Sequence, residues 1–495
     1  MVKKYVVAFD QGTTSTRTIV FDKNGEIKAI AQKELTLHYP QSGWVEHNGL
    51  DIYNDQLETF QKAVLDAGIH TEEIASIGIT NQRETTIVWD KDTGEPIHNA
   101  IVWLDKRTTP ICDALKTKGL TNYVKENTGL VIDSYFSGTK LKWLLDNVEG
   151  AKEKANQGKL LFGTIDTWLI YKFTNGKKHL TDHTNASRTM LYNIKDLSWD
   201  ETLLKALDIP TSLLPSVQAS SSDFGFVTHN DIQIPIYGVA GDQQAALFGQ
   251  GGFATGVGKS TYGTGCFMLL NIGKKKVTSK SGLLTTLTCS LDNEPVKYAL
   301  EGSVFVGGAS IQWLRDQMKL IENVSDTEAI CTSIPPLKDI YVVPAFAGLG
   351  APYWDANAKG SIYGMTLDTG RKELIKATVE ALAYQTKDVI TAMIKDSGKE
   401  MKVLKVDGGA SANNYLMQFQ SDLLNAKVDR PKMIEITALG AAMLAGLKAG
   451  FWTTQDISSI REVDRIFSPK MDVIPVNITV VINTSSIQRT NHRFF

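Results

Sequence analysis

An apolar run over residues 6–9 reaches Asp10, Gln11 and Gly12, passes through Thr13, Thr14, Ser15 and Thr16 to Arg17, and resumes as a second apolar run ending at Asp22. Glycine and hydroxyl residues between two apolar runs mark a chain reversal, so the segment reads as two strands joined by a tight polar turn. Asp10 falls where the first strand gives way to the turn. A carboxylate there suits Mg²⁺ held through water. The backbone N–H groups and hydroxyls of residues 12–15 suit a phosphate, and Arg17 can add charge-assisted hydrogen bonds to it. A plain surface hairpin with a threonine-rich turn would look the same, so the turn alone leaves both readings open.

The arrangement recurs. Lys259, Ser260 and Thr261 lead through a turn of Gly263, Thr264 and Gly265 into the apolar residues 266–269. At 495 residues the chain is too long for one ordinary core, and two domains are expected. Strand-like segments at 74–80, 85–90, 234–241 and 403–406 alternate with helix-like ones at 108–115, 138–146 and 372–394. Residues 160–173 read as a strand entering a helix, and the Ala- and Gly-rich residues 437–447 as a buried helix. Alternation in both halves argues for two α/β domains, 1–250 and 251–495. A cleft between them favours a ligand site.

A formal net charge of −2 argues against a general binder of nucleic acid or of membrane surfaces. No basic-plus-apolar leader and no apolar run of membrane-spanning length is present, so no membrane span is expected. Cys112, Cys266, Cys289 and Cys331 are far apart and form no CxxC pair. That spacing fits a reduced, cytoplasmic setting without structural zinc.

Five motifs carry chemistry with a plainer reading beside each. Gly258, Lys259, Ser260 and Thr261 suggest a P-loop, but the required upstream glycine is Phe253 and a strand follows. His179 and His183 have helical metal-ligand spacing, but Leu180 stands where a metalloprotease helix needs Glu. Asp407, Gly408 and Gly409 follow a strand and open a helix, which suits a flat ligand near the backbone or a simple capped turn. Residues 81–86 (Asn81, Gln82, Arg83, Glu84, Thr85, Thr86) are either a solvated loop, the usual case, or a polar specificity set at strand ends. Asp242, before Gln243 and Gln244, can cap a helix or act as a general base toward a hydroxyl.

Taken in order, residues 10–15, 40–47, 78–85, 240–247, 262–267 and 407–410 resemble the FGGY family of carbohydrate kinases. The resemblance runs from about Lys4 to about Phe467, and within the family it is to members whose acceptor is glycerol. It implies two actin-like, ribonuclease-H-like α/β domains with nucleotide and substrate in the cleft between them. The implied reaction moves the γ-phosphoryl group of ATP to the 3-hydroxyl of glycerol and releases ADP, with Asp242 as base. By resemblance, Thr13, Thr14, Ser15 and Arg17 face the nucleotide phosphates, and Asp10 helps hold Mg²⁺. Arg83, Glu84, Tyr135, Asp242 and Gln243 match positions that hold glycerol hydroxyls, and Trp103 and Phe267 match the walls around its carbons. Thr264, Gly308, Gln312, Gly409 and Asn413 match positions lining the nucleotide. Family members are commonly homodimers or homotetramers.

Two alternatives stand beside this reading. One is a relative acting on a pentulose. The other is an actin-like ATPase that moves a protein partner and has no use for the Arg83–Glu84 and Asp242–Gln243 sets. The chain also departs from family patterns. Residues 223–231 are shorter than the loop that carries a modified His in some members, and lack its His-Phe-Tyr-Gly pattern. The Gly-and-Arg loop that binds fructose bisphosphate elsewhere is not apparent. Residues 473–482 read as strand-like where a helix is expected.

Overall fold

The computed structural model describes residues 2–470 apart from Asn293 and Ala356, so the strand-like reading of 473–482 lies outside the described residues. Among the described residues, one six-stranded and one seven-stranded mixed sheet organise the fold, beside five two-stranded ones. The first has six strands: β1 (Tyr5–Gln11), β2 (Ser15–Asp22), β3 (Ile27–Glu34), β4 (Ile74–Asn81), β5 (Phe226–His229) and β6 (Ile232–Gly241). Their spatial order is β5-β6-β4-β1-β2-β3. The β1–β2 hairpin forms as expected, with Asp10 opposite Arg17 and Gln11 opposite Thr16. After Tyr5, β1 is buried at every position, which is why its sequence is a continuous apolar run rather than an alternation.

The parallel pairings fix the position of the site. Gln11 on β1 is in register with Asn81 on β4, and Asn81 with Gly241 on β6. Three strands therefore end in one row, and Gly12, Gln82 and Asp242 emerge side by side from the carboxyl edge, where open α/β sheets bind ligands.

The second sheet has seven strands: β7 (Gly258–Tyr262), β8 (Cys266–Gly273), β9 (Leu284–Leu287), β10 (Tyr298–Val304), β11 (Val403–Asp407), β12 (Lys427–Pro431) and β13 (Val463–Phe467). Their order is β9-β10-β8-β7-β11-β12-β13. It repeats the plan of the first. A hairpin (β7–β8) opens it, and the first strand of that hairpin then pairs in parallel with a later strand, Thr261 in register with Asp407.

Six helices matter for the argument: α1 (Gly49–Asp66), α2 (Asp242–Gly249), α3 (Gly308–Asp316), α4 (Arg371–Ser397), α5 (Asn414–Leu424) and α6 (Ile436–Lys448). Among the described residues, no helix is long and apolar enough to cross a membrane. Helix α6 is the Ala- and Gly-rich stretch, and it packs on the first sheet although the chain around it belongs to the second half. Its composition follows from that position. A Cβ on Gly440 would sit 2.0 Å from the Ala245 carbonyl oxygen on α2, and one on Gly78 of β4 would sit 2.1 Å from the Ala441 carbonyl oxygen. Backbones this close admit no side chain.

From the sequence alone, residues 81–86 and the two histidines are each open to more than one reading. Residues 81–86 are not a solvated loop. All six are buried, and Glu84 holds a positive φ of 61°, a conformation that costs a non-glycine residue energy and is concentrated at functional sites. His179 precedes the strand Leu180–Asp182, and His183 opens the four-residue helix His183–Ala186, so the two do not share a helix face.

Candidate active site

The turn after β1 is open to solvent at Thr14 and partly so at Thr13 and Ser15, while the Gly12 N–H closes it by donating to the Ser15 carbonyl at 2.9 Å. Behind it, the Arg17 guanidinium donates to the Asp10 carboxylate and, at 2.6 Å, to Glu435 just ahead of α6. Arg17 thus lies between two carboxylates, one from each half of the chain. Burial pushes the Asp10 carboxyl up, Arg17 opposes this, and the nearby negative charges of Glu435 and Asp242 add to the rise. Glu435 is a site residue that the sequence alone did not single out.

The next pair of strand ends carries a buried ionic cluster. The side chain of Arg83 is 2% exposed and meets Glu301 of β10 in a two-point pair, Nη1–Oε2 at 2.8 Å and Nη2–Oε1 at 2.9 Å. Its Nε lies 3.1 Å from Asp242 Oδ1, and Nη1 also donates to Gln244 Oε1 at 3.1 Å. Arg188 donates from Nε to Glu84 at 2.6 Å and from Nη2 to Glu301 at 3.1 Å. Arg83, Glu301, Arg188 and Glu84 therefore alternate in charge around a ring, which Arg83 Nε and Glu84 close at 4.0 Å. Burial would raise the Glu301 carboxyl, but Arg188 and Arg83 hold it down to about 2. Burial raises the Glu84 carboxyl against the opposing pull of the same two arginines. Glu301 and Arg188 were not anticipated. The available signal was a lone carboxylate inside the apolar strand 298–304.

Asp242 is the first residue of α2, with its side chain about one-third exposed. Its Oδ1 accepts the Gln243 backbone N–H at 2.7 Å, and its Oδ2 accepts the Gln243 side-chain amide at 3.2 Å. Gln243 Oε1 in turn accepts from Lys259 Nζ at 2.5 Å.

Three rings stand beside this polar set. Trp103 meets Tyr135 edge-on at 5.5 Å between centroids and Phe267 at 6.4 Å. Phe267 lies on β8, so both halves contribute walls. The Trp103 indole N–H donates to the Thr13 hydroxyl at 2.9 Å, joining this wall to the polar turn. Beneath Tyr135, the buried Lys140 ammonium donates to the Tyr135 carbonyl at 2.6 Å and the Phe136 carbonyl at 3.3 Å.

On the second sheet, the turn after β7 is tied to the start of α3. Gly307 and Gly308 donate their N–H groups to the Thr264 and Gly263 carbonyls, each at 2.8 Å. A Cβ on Gly308 would lie 2.7 Å from the Gly263 carbonyl oxygen, and Gln312 is exposed one turn further along α3. Gly408 has φ +86° and packs on the Tyr262 backbone, whereas a Cβ on Gly409 would meet nothing within 4 Å. Asn413 caps α5 by accepting the Leu416 N–H at 2.9 Å. The expected nucleotide residues thus gather at the carboxyl ends of β7 and β11 and at the starts of α3 and α5.

Comparison with known proteins agrees with this architecture. Residues 5–249 match the N-terminal domain of the FGGY family of carbohydrate kinases, and residues 258–449 match its C-terminal domain. A glycerol kinase of Alkaliphilus oremlandii is 58% identical over 475 residues, 95% of this chain and 94% of the relative. One of Brachyspira hyodysenteriae is 59% identical over 469 residues, 94% of this chain and 95% of the relative. The crystal structure of Plasmodium falciparum glycerol kinase with ADP superposes with a TM-score of 0.90 at 37% identity, covering 100% of this chain and 99% of that one. Xylulose kinase from Lactobacillus acidophilus shares the fold, with a TM-score of 0.83 at 23% identity over 94% of each chain. With both family domains matched in order and close relatives aligned along nearly its whole length, the chain belongs to the FGGY family of carbohydrate kinases.

Proposed function

We propose that this protein transfers the γ-phosphoryl group of ATP to a terminal hydroxyl of glycerol, giving glycerol 3-phosphate and ADP. The observation that carries the reading is the convergence of Arg83, Glu84, Asp242 and Gln243 at adjoining strand ends, with Tyr135 close to Arg83 and the rings of Trp103 and Phe267 next in line. A three-carbon triol needs a polar partner for each hydroxyl and an apolar wall for its carbons. A site built this way rejects an analogue lacking a hydroxyl, because its own buried polar groups are then left unpaired. Relatives at 58% and 59% identity that are glycerol kinases support glycerol over a pentulose.

Phosphoryl transfer needs positioning and charge neutralisation more than covalent help from the protein. In this reading, Asp242 accepts the proton of the attacking hydroxyl. Its support is geometric: Arg83 and the first turn of α2 fix one carboxylate oxygen, while the side chain stays partly open. Arg83, Glu84 and Tyr135 orient the acceptor, and Trp103 and Phe267 exclude water from its carbons. Thr13, Thr14 and Ser15 face the β- and γ-phosphates, with Thr264, Gly308, Gln312, Gly409 and Asn413 along the rest of the nucleotide. Asp10 is a hard oxygen donor whose negative form is disfavoured by burial and by the nearby Glu435 and Asp242 charges, so it fits a hydrated divalent cation. Bound Mg²⁺ supplies neutralisation of phosphate charge. Arg17, now held by Asp10 and Glu435, reaches a phosphate if it exchanges one of those partners.

The test is ADP release from Mg-ATP with glycerol, dihydroxyacetone, xylulose, ribulose or no acceptor. Turnover that depends strongly on glycerol is expected. Preference for a pentulose would move the substrate, and acceptor-independent release would replace the kinase reading with that of an ATPase.

A further inference from the structure

Resting on the acceptor site just described, we infer that Glu301 is a positioning residue for that site: from the second half of the chain it holds the Arg83 guanidinium in the orientation the acceptor meets. Glu301 is fully buried in β10, flanked by Ala299, Leu300 and Gly302, and it is in register with Leu269 on β8. Phe267, two residues back on that strand, is a wall of the acceptor pocket. The same rigid sheet thus delivers both the wall and the carboxylate.

The geometry is selective. A guanidinium is a planar fork, and a two-point pair fixes its plane as well as its position. Glu301 occupies Nη1 and Nη2, and Nε then lies 3.1 Å from Asp242 Oδ1. Arg188 also donates to Glu301, so the carboxylate is restrained from a second direction and stays charged beside the two arginines. Without it, Arg83 has Asp242 and Glu84 as its remaining anionic neighbours, at 3.1 Å and 4.0 Å, and its fork is free to turn onto the base. Glu301 acts through Arg83 and does not itself contact the acceptor.

The experiment is a double-mutant cycle read in KM, using whichever acceptor gives the wild type its highest turnover, so that a substrate other than glycerol leaves the test standing. Glu301→Gln is nearly isosteric but cannot form the charged two-point pair. It is expected to raise the acceptor KM about ten- to a hundredfold, the range for losing one hydrogen bond to a charged group, while the KM for ATP changes by less than about threefold. In an Arg83→Ala background the same substitution is expected to leave the acceptor KM unchanged, because its route of action is gone. Glu301→Asp keeps the charge on a shorter stem and should fall between wild type and Glu301→Gln. If Glu301→Gln proves unfolded by circular dichroism, Glu301→Asp serves in the same cycle. Equal effects on both substrates, or an unreduced effect in the Arg83→Ala background, would show a merely structural salt bridge and overturn the inference. So would an acceptor KM unchanged in Glu301→Gln.

Discussion

Trp103 donates its indole N–H to the Thr13 hydroxyl across 2.9 Å, so the ring proposed as a wall for the acceptor and the turn proposed to face the phosphates form one hydrogen-bonded unit. Trp103→Phe keeps the apolar wall and removes the donor. The loss of one such bond is worth about 1 kcal/mol, or about fivefold in kcat/KM. Because the bond joins the two sites, the KM values for ATP and for acceptor should both rise. Steady-state titration of each substrate checks this, and a rise in one alone would mean that the bond does not couple them.

Asp242→Asn should bind ATP and glycerol with nearly native affinity and lose about 10²- to 10⁴-fold in kcat, the range for removing a general base. The α2 N–H can still bond the amide oxygen, which stays close to Arg83 Nε, so the site should keep its shape. Single-turnover kinetics together with equilibrium binding separate the two effects. A kcat near that of wild type would take Asp242 out of the role of base.

Gly409→Ala adds a methyl group with no protein atom within 4 Å. Stability should stay within about 0.5 kcal/mol, while the KM for ATP rises because the methyl enters the space assigned to the nucleotide. Thermal melting paired with ATP titration tests both halves of the statement. A normal KM would move the nucleotide away from this turn.

Gly440→Ala should do the opposite. Its Cβ would lie 2.0 Å from a backbone oxygen on α2, which cannot turn aside as a side chain does. Overpacking of this kind costs about 1–3 kcal/mol, to be read from the urea midpoint. The shift of α2 would also carry Asp242, so kcat should fall with stability.

Lys140 sets a pH dependence. Burial holds its ammonium down to about 7, against the partial opposition of Glu84, Asp105 and Asp133. Between pH 7 and the ordinary lysine value of about 10.4, the unfolded chain carries a proton that the folded chain lacks. Stability contributed by this group therefore rises with pH through that window, by at most about 1.4 kcal/mol per unit. Denaturation curves at pH 7 and pH 9.5 should show a gain in the wild type that is reduced in Lys140→Met. An identical pH slope in both proteins would contradict the assignment.

The sequence made the hairpin turn legible because its pattern is local: an apolar run, Asp10, Gly12 and hydroxyls all fall within one strand-turn-strand unit. Asp242 was legible for the same reason, at the junction of an apolar strand and a helix start. The buried helix at 437–447 could be read from composition, although the glycines that bring it against α2 and β4 have meaning only once those partners are known. The ionic ring was not legible. Arg83 and Glu301 are 218 residues apart, and Arg17 and Glu435 are 418 apart, so nothing local links them. The burial of residues 81–86 escaped for a related reason. Charged and amide side chains signal solvent unless their partners are known, and here the partners arrive from Arg188 and from β10.

Helix α6 has a consequence for how the chain can be divided. Its residues follow the second sheet in sequence, yet its apolar flank seals one side of the first. A fragment stopping at the linker near residue 250 would leave Ala8, Ile19 and Ala240 facing water, with Gly78 and Gly238 as an unfilled trough between them. The first sheet therefore has both faces covered only once residues 436–448 dock on it, and a cell making the protein from the ribosome outward completes that packing only after nearly the whole polypeptide has emerged.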